Sequence, residues 1–243
     1  KKRNLPAWNT FEPGSVMKSF LVASAIEEGV VNDKTIIDCE MGKRRIGKYI
    51  VHDVNKKGNL NISGVLNFSS NIGASKIIEK ISNNKYYSFL KNLGFGSKTN
   101  IQLPGEAKGI LINPEKWSQI QAANISFGQG MSVTSLQLAK ALSIIANGGV
   151  NIEPYLIKSI TNSKGEIIFE KKLNPGRRII SYTTSKKMRK LLKSVVEDGG
   201  GFKAQIEGVS VSGKTGTGQV ATKGGYSKER FIVSFIGFAP SDS

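Results

Sequence analysis

Residues 13–29 read PGSVMKSFLVASAIEEG, running from Pro13 to Gly29. Pro13-Gly14 punctuate the start of a helical pattern and Gly29 its end. Val16, Met17, Phe20, Leu21, Val22, Ala23, Ala25 and Ile26 fall nearly all round the helix projection. A helix that is apolar on most faces is a buried one. The spacing therefore predicts a central helix over 15–28, enclosed by other elements. Working outward, residues 62–68 and 72–82 read as short helices interrupted by Ser69-Ser70-Asn71. Residues 84–92 read as another, stopped at Gly94. Residues 135–146 carry Leu136, Leu138, Ala139, Ala141, Leu142, Ile144 and Ile145 and close at Asn147-Gly148-Gly149.

Then the period changes. Tyr155–Ile160 and Glu166–Lys171 predict a hairpin around Asn162-Ser163-Lys164-Gly165. A basic helix is expected from Thr184 to Glu197, ended by Gly199-Gly200-Gly201. Val209 and Val211 begin a strand running into Gly213-Lys214-Thr215-Gly216, and Phe231–Phe238 form a second. The two are expected to pair antiparallel across a loop at 218–229. Helices first and strands last, without regular alternation, make an α+β protein.

The composition narrows the chemistry. The chain has 243 residues, enough for a substantial core. It carries 35 Lys+Arg against 18 Asp+Glu, a net charge of +17. Such a field favours polyanionic surroundings, although a lysine-rich proteome explains it equally well. The single Cys39 excludes an internal disulfide and any multi-thiolate metal site. The single His52 leaves one imidazole to serve any Ser-His-Asp arrangement. No cofactor or metal is expected. No run of 18 apolar residues occurs, and no signal-peptide pattern.

Three short patterns carry nucleophile chemistry. In Ser15-Val16-Met17-Lys18, positions i and i+3 share a helix face, so the Lys18 amine can reach the Ser15 hydroxyl. Burial disfavours an ammonium and makes the lysine a usable base. The same spacing recurs at Ser82 and Ser88, but without the Pro-Gly start or the buried helix. Ser69-Ser70-Asn71 sits in a helix break. If the chain there is extended, the Ser69 hydroxyl and the Asn71 carboxamide point the same way; the plainer use of Ser and Asn at a break is capping. Lys214-Thr215-Gly216-Thr217 offers a cation, two hydroxyls and a glycine beside which a ligand backbone can lie close. These suit a peptide ending in a carboxylate. The three patterns follow in that order, 54 and then 145 residues apart. Together they match the S-x-x-K, S-D-N and K-T-G set of penicillin-binding proteins and class A β-lactamases.

The surrounding text resembles the transpeptidase domain of class B penicillin-binding proteins. The resemblance rests on Phe11–Ser15, Asn67–Ser75, Leu93–Gly96, Leu103–Glu106, Ser126–Gly149 and Ser212–Thr217. Ser126–Gly149 (SFGQGMSVTSLQLAKALSIIANGG) is closer to the division-type than to the elongation-type branch. The resemblance implies a penicillin-binding, serine β-lactamase-like fold: an antiparallel sheet flanked by helices, with an all-helical subdomain. It implies a peptidoglycan D,D-transpeptidase acting in septal wall synthesis and acylated by β-lactams. Ser15 is then the nucleophile, Lys18 its base, Ser69 the proton return and Lys214 the source of positive potential. Asn71 holds the donor amide. Thr215, Gly216 and Thr217 bind the terminal carboxylate end, and the N–H groups of Ser15 and Thr217 form the oxyanion hole. Stem peptides, β-lactams and division membrane proteins are the implied partners, with no nucleic acid. The implied location is the outer face of the cytoplasmic membrane.

The chain departs from the written signature in carrying Ser70 where Asp stands, as class B members commonly do, and Gly199-Gly200-Gly201 replaces a pattern that usually includes threonine. Residues 1–243 are read as a fragment, with the membrane anchor, the N-terminal domain and the C-terminal end of the family outside it. A sheet lacking those strands is expected to have open edges. Rival readings are a D,D-carboxypeptidase, a β-lactamase or a non-catalytic penicillin-binding sensor. A phosphate-binding loop at Gly208–Thr215 matches G-x-x-x-x-G-K-T, but the segment alternates like a strand. Lys186, Lys187, Arg189, Lys190 and Lys193 read as a solvated face or a contact to anionic wall or lipid.

Overall fold

The computed structural model describes residues 4–172, 175–222 and 225–241. The chain starts with α1 (Leu5–Trp8) and β1 (Thr10–Phe11), then a 3-10 turn, Gly14–Val16, that runs straight into α2 (Met17–Glu27). Four short strands follow: β2 (Ile36–Asp38), β3 (Lys43–Ile46), β4 (Tyr49–His52) and β5 (Asn59–Asn61). Next come α3 (Ile62–Asn67), α4 (Asn71–Ile78), α5 (Asn83–Asn92) and α6 (Gln119–Ser126). The order continues with β6 (Val133–Thr134), α7 (Ser135–Ala146), β7 (Val150–Asn151), β8 (Ser159–Thr161), β9 (Ile167–Glu170) and β10 (Arg177–Arg178). It ends with α8 (Tyr182–Glu197) and the long strands β11 (Ser212–Thr222) and β12 (Gly225–Phe238).

Among the described residues every ladder is antiparallel and two-stranded: β1 with β6, β2 with β5, β3 with β4, β7 with β10, β8 with β9 and β11 with β12. The α+β expectation and the order of elements hold. The helical half also carries two short ladders, β2–β5 and β3–β4. The last strand pair runs further than expected. The stretch read as a loop at 218–229 is mostly ladder, reaching Thr222 opposite Gly225, with a bulge between Gln219 and Ala221. Its polar, glycine-containing sequence resembles turn chemistry, but ladder bonds are made by the backbone and tolerate it. Helix α6 was not anticipated, although Ser118 and Gln121 form a capping box at its start. The helix expected at 72–82 stops at Ile78, because Ser82 caps the next one.

Helix α2 is the centre of the core. Met17 through Ala25 are all buried, including Lys18, Ser19 and Ser24. Phe20 meets Phe95 edge to face at 5.4 Å. Ile72 and Ile77 of α4, Leu90 of α5, Leu142 of α7 and Leu192 of α8 belong to the same cluster. Each fully buried Leu, Ile or Phe contributes about 1.5–3 kcal/mol.

Strand β11 lies directly against the turn that precedes α2, and two glycines permit it. At Gly14 (φ +59°) a Cβ would stand 2.3 Å from the Thr217 carbonyl oxygen. At Gly216 a Cβ would meet Val16 Cγ2 at 2.4 Å and the Pro13 carbonyl oxygen at 2.6 Å. The side of Gly216 on which a Cβ would stand is thus filled by protein, through close approach of strand and turn. Gly216→Ala is expected to lower thermal stability by about 1–3 kcal/mol through overpacking. A calorimetric scan showing an unchanged unfolding temperature would refute this packing account.

Candidate active site

Ser15 is the middle residue of the 3-10 turn, half-buried at the floor of a cleft, and Lys18 follows one turn later. The Lys18 side chain is fully enclosed. Its Nζ lies 2.9 Å from Ser15 Oγ, 2.7 Å from Asn71 Oδ1, 2.6 Å from the Ser69 carbonyl oxygen and 3.2 Å from Ser69 Oγ. Burial lowers the Lys18 pKa well below its ordinary value; nearby Lys214 lowers it further, and Asp53 opposes both. A neutral amine has two protons and one lone pair. The Ser69 carbonyl and Asn71 Oδ1 can only accept, so they take the two protons. The lone pair is left for the Ser15 hydroxyl.

The Ser69-Ser70-Asn71 corner brings two functional groups onto this amine, by a geometry different from the extended one expected. Ser69 has φ +54°, in the left-handed region, which is uncommon for a residue other than glycine. Ser70 is the extended residue, and it caps α4 by accepting from Gly73 N–H at 2.8 Å. Capping and chemistry are thus divided between neighbours: Ser70 caps, while Ser69 and Asn71 face Lys18. Asn71 is oriented from its other end, where Nδ2 donates to the His52 carbonyl at 2.9 Å.

Sequence reasoning missed Asp53. Its Oδ1 accepts from the N–H of Asn71 (2.6 Å) and of Ile72 (3.0 Å), and its Oδ2 accepts from Ser70 Oγ. A carboxylate on the first free N–H groups of α4 pins the corner in place and complements the helix dipole. It comes from the end of β4, 18 residues before Asn71, and no local pattern links the two.

Lys214 closes the far side. It is buried on β11, and its Nζ donates to Ser69 Oγ at 3.1 Å and to the Thr215 carbonyl at 3.2 Å. Burial lowers its pKa to about 8. Ser69 Oγ therefore lies between two amines. The cleft above has a volume of about 350 Å3 and is lined by Ser15, Ser69, Asn71, Thr215 and Thr217, with Val54, Phe68, Phe127 and Phe231 as apolar walls.

The structure thus brings Ser15, Lys18, Ser69, Asn71, Lys214, Thr215 and Thr217 to one cleft and places Gly216 behind it. The recurrent spacings elsewhere do other things. Ser82 caps α5, accepting from the Lys85 N–H at 3.3 Å. Ser88 is exposed, while Lys91 donates to Ser97 Oγ instead. The segment matching a phosphate loop is strand β11 at Ser212–Thr215, and no described helix follows it. Among the described residues no cluster of His, Cys, Asp and Glu can hold a metal ion.

Comparison with known proteins places the chain in a family. The family model described as the penicillin binding protein transpeptidase domain matches residues 1–243, and the chain belongs to that family. It is 38% identical to stage V sporulation protein D of Bacillus subtilis, over 99% of this chain and 38% of that protein. It is 33% identical to the probable peptidoglycan D,D-transpeptidase PenA of Neisseria flavescens, over 99% of this chain and 57% of that one. The chain therefore spans only part of these relatives. Among solved structures, the transpeptidase domain of Burkholderia pseudomallei penicillin-binding protein 3 superposes with a TM-score of 0.89 at 32% identity, covering 98% of this chain and 70% of the other. Penicillin-binding protein 3 of Mycobacterium tuberculosis complexed with ampicillin superposes with a TM-score of 0.92 at 31% identity, covering 98% and 55%. The penicillin-binding transpeptidase fold is the fold of this chain.

The Asp53 carboxylate gives a test of this geometry. Asp53→Asn removes a negative charge that holds the Lys18 pKa up. The pH at which Lys18 becomes neutral therefore falls, and the acid limb of the Ser15 acylation rate should move to lower pH. Loss of one carboxylate acceptor should also cost about 1–3 kcal/mol of stability. A pH–rate profile with an unmoved acid limb would contradict the electrostatic link.

Proposed function

We propose that this chain is the catalytic domain of a peptidoglycan D,D-transpeptidase. The carrying observation is the buried Lys18 amine, 2.9 Å from Ser15 Oγ and joined through Ser69 to Lys214. Lys18 takes the Ser15 proton as Oγ attacks the carbonyl between the two terminal D-Ala residues of a stem peptide. The N–H groups of Ser15 and Thr217 face the oxyanion. The C–N bond breaks, and the proton passes by way of Lys18 and Ser69 to the departing D-Ala amine. Thr215 and Thr217 hold its carboxylate in the field of Lys214, and Asn71 holds the donor amide. The amine of a second stem peptide then attacks the Ser15 ester. The new amide forms, and Ser15 regains its proton. A β-lactam follows the first half of this course and stays on Ser15.

None of the described residues lining the cleft is Asp or Glu, so no carboxylate there activates water. This argues against the β-lactamase reading, and turnover separates the transpeptidase from a sensor. The likeness of Ser126–Gly149 to the division-type branch supports a septal role with division membrane proteins as partners. It also supports a location on the outer face of the cytoplasmic membrane, where the wall polymer lies. No described helix is long and apolar enough to cross a membrane.

Incubation with a β-lactam followed by intact-mass measurement should give one stable adduct, absent in Ser15→Ala. Lys18→Ala should slow acylation by about 100-fold or more, the usual worth of a general base. The rate should rise with pH as Lys18 becomes neutral and fall above about 8 as Lys214 loses its charge. An adduct that survives in Ser15→Ala would overturn the assignment.

A further inference from the structure

A second groove lies across Asn71 and Phe127 from the first. It has a volume of about 480 Å3 and is lined by β4 from Tyr49 to His52 and by Ser118, Ile120, Gln121 and Asn124 of the α6 region; Asn71 and Phe127 are common to both. Four consecutive residues of one strand line it. Successive side chains of a strand point to opposite faces, and Val51 is itself buried, so β4 presents its backbone edge. Among the described residues β4 pairs only with β3. Its outer edge is open apart from the His52 carbonyl, which Asn71 already uses.

We infer that this groove binds the acceptor: an extended peptide that bears carboxylates and a primary amine on an aliphatic side chain, added along the open edge of β4. The inference rests on the reading of Ser15 as the acylated nucleophile. Continuity carries it first. Lys18 Nζ touches both Ser15 Oγ and Asn71 Oδ1, so the wall between the grooves stands two hydrogen-bond lengths from the reacting atom. A side-chain amine crossing that wall reaches the ester while its peptide stays outside. Lining chemistry agrees. Tyr49 and Ile50 expose apolar surface suited to an aliphatic chain. The Asn124 carboxamide and the His52 imidazole make no hydrogen bond to the described residues and stand ready for a peptide. Charge agrees too. No carboxylate lines the groove, and Lys43, Arg45 and Lys48 are exposed on the β3–β4 hairpin, where they attract the carboxylates of the ligand.

The test separates the two half-reactions in the intact protein. A thioester of an acyl-D-alanine serves as donor, and a tripeptide with a free side-chain amine and two carboxylates as acceptor. Asn124→Leu removes the free carboxamide, and Ile50→Asp sets a negative charge in the groove. Each is expected to raise the acceptor KM by about tenfold or more and to divert the acyl-enzyme to hydrolysis. Acylation by a β-lactam should stay within about twofold of the parent, which also reports that the variant is folded. A labelled acceptor tripeptide should still bind the β-lactam-acylated parent, and bind the acylated variants more weakly. An unchanged acceptor KM in both variants would overturn the proposal. So would a parallel fall of acylation and transfer. Absence of any β-lactam adduct on the parent would instead overturn the Ser15 reading beneath it.

Discussion

An amine without water is the constraint on which this structure depends. Lys18 sits in the most buried helix of the protein, and its Nζ is surrounded by oxygens of Ser15, Ser69 and Asn71. Burying an ammonium there is expensive, and burying a neutral amine is much less so. The fold therefore selects the base form of the lysine by exclusion of solvent. That choice fixes the rest of the site. Acceptors must come to the amine from distant parts of the chain, and each needs its own support. Ser15 is held by the turn that packs on β11, with Gly14 and Gly216 allowing the approach. Ser69 is held in a left-handed conformation, and Asn71 by the α4 N-terminus and the His52 carbonyl.

The two lysines work as a pair with different duties. Both are buried, and both have lowered pKa values. They share Ser69 Oγ, at 3.2 Å from one and 3.1 Å from the other. Two like charges that close are unfavourable, so charge on Lys214 helps to keep Lys18 neutral. Lys214, whose pKa remains near 8, is the one that carries charge at neutral pH. Asp53 moderates the arrangement. It anchors the Ser69–Asn71 corner through three contacts, and its charge raises the Lys18 pKa. Structural support and catalytic poise thus pull in opposite directions at one carboxylate.

Much of this was legible in the sequence for a physical reason. Ser15 and Lys18 are three residues apart on a helix, and helical periodicity is local. The nearly continuous apolar character of 16–26 announced burial, and burial announced the depressed lysine. Strand β11 was legible as the site's other wall because Lys214–Thr217 follow a β-branched alternation. What escaped notice was non-local or carried by the backbone. Asp53 acts on N–H groups, which every residue has, so nothing near Asn71 calls for it. The Ser69 turn is not legible because serine gives no sign of a positive φ, as glycine would. The reach of the β11–β12 ladder into 218–229 is not legible because ladder bonds ignore side chains. Nor does a glycine in a K-T-G pattern announce its packing role: the missing side chain of Gly216 makes room for Pro13 and Val16.

These features oppose stability. A left-handed serine costs about 1–3 kcal/mol, and each buried lysine adds a desolvation cost. They persist because the core around α2 over-determines their positions. The strain is also concentrated. Ser69, Asn71 and Asp53 occupy one corner, where α4 begins and β4 ends. That corner forms the wall between two grooves. Any shift in it that alters the amine's acceptors also alters the edge of β4. The proposed base of Ser15 and the surface proposed to deliver the second substrate therefore share one wall.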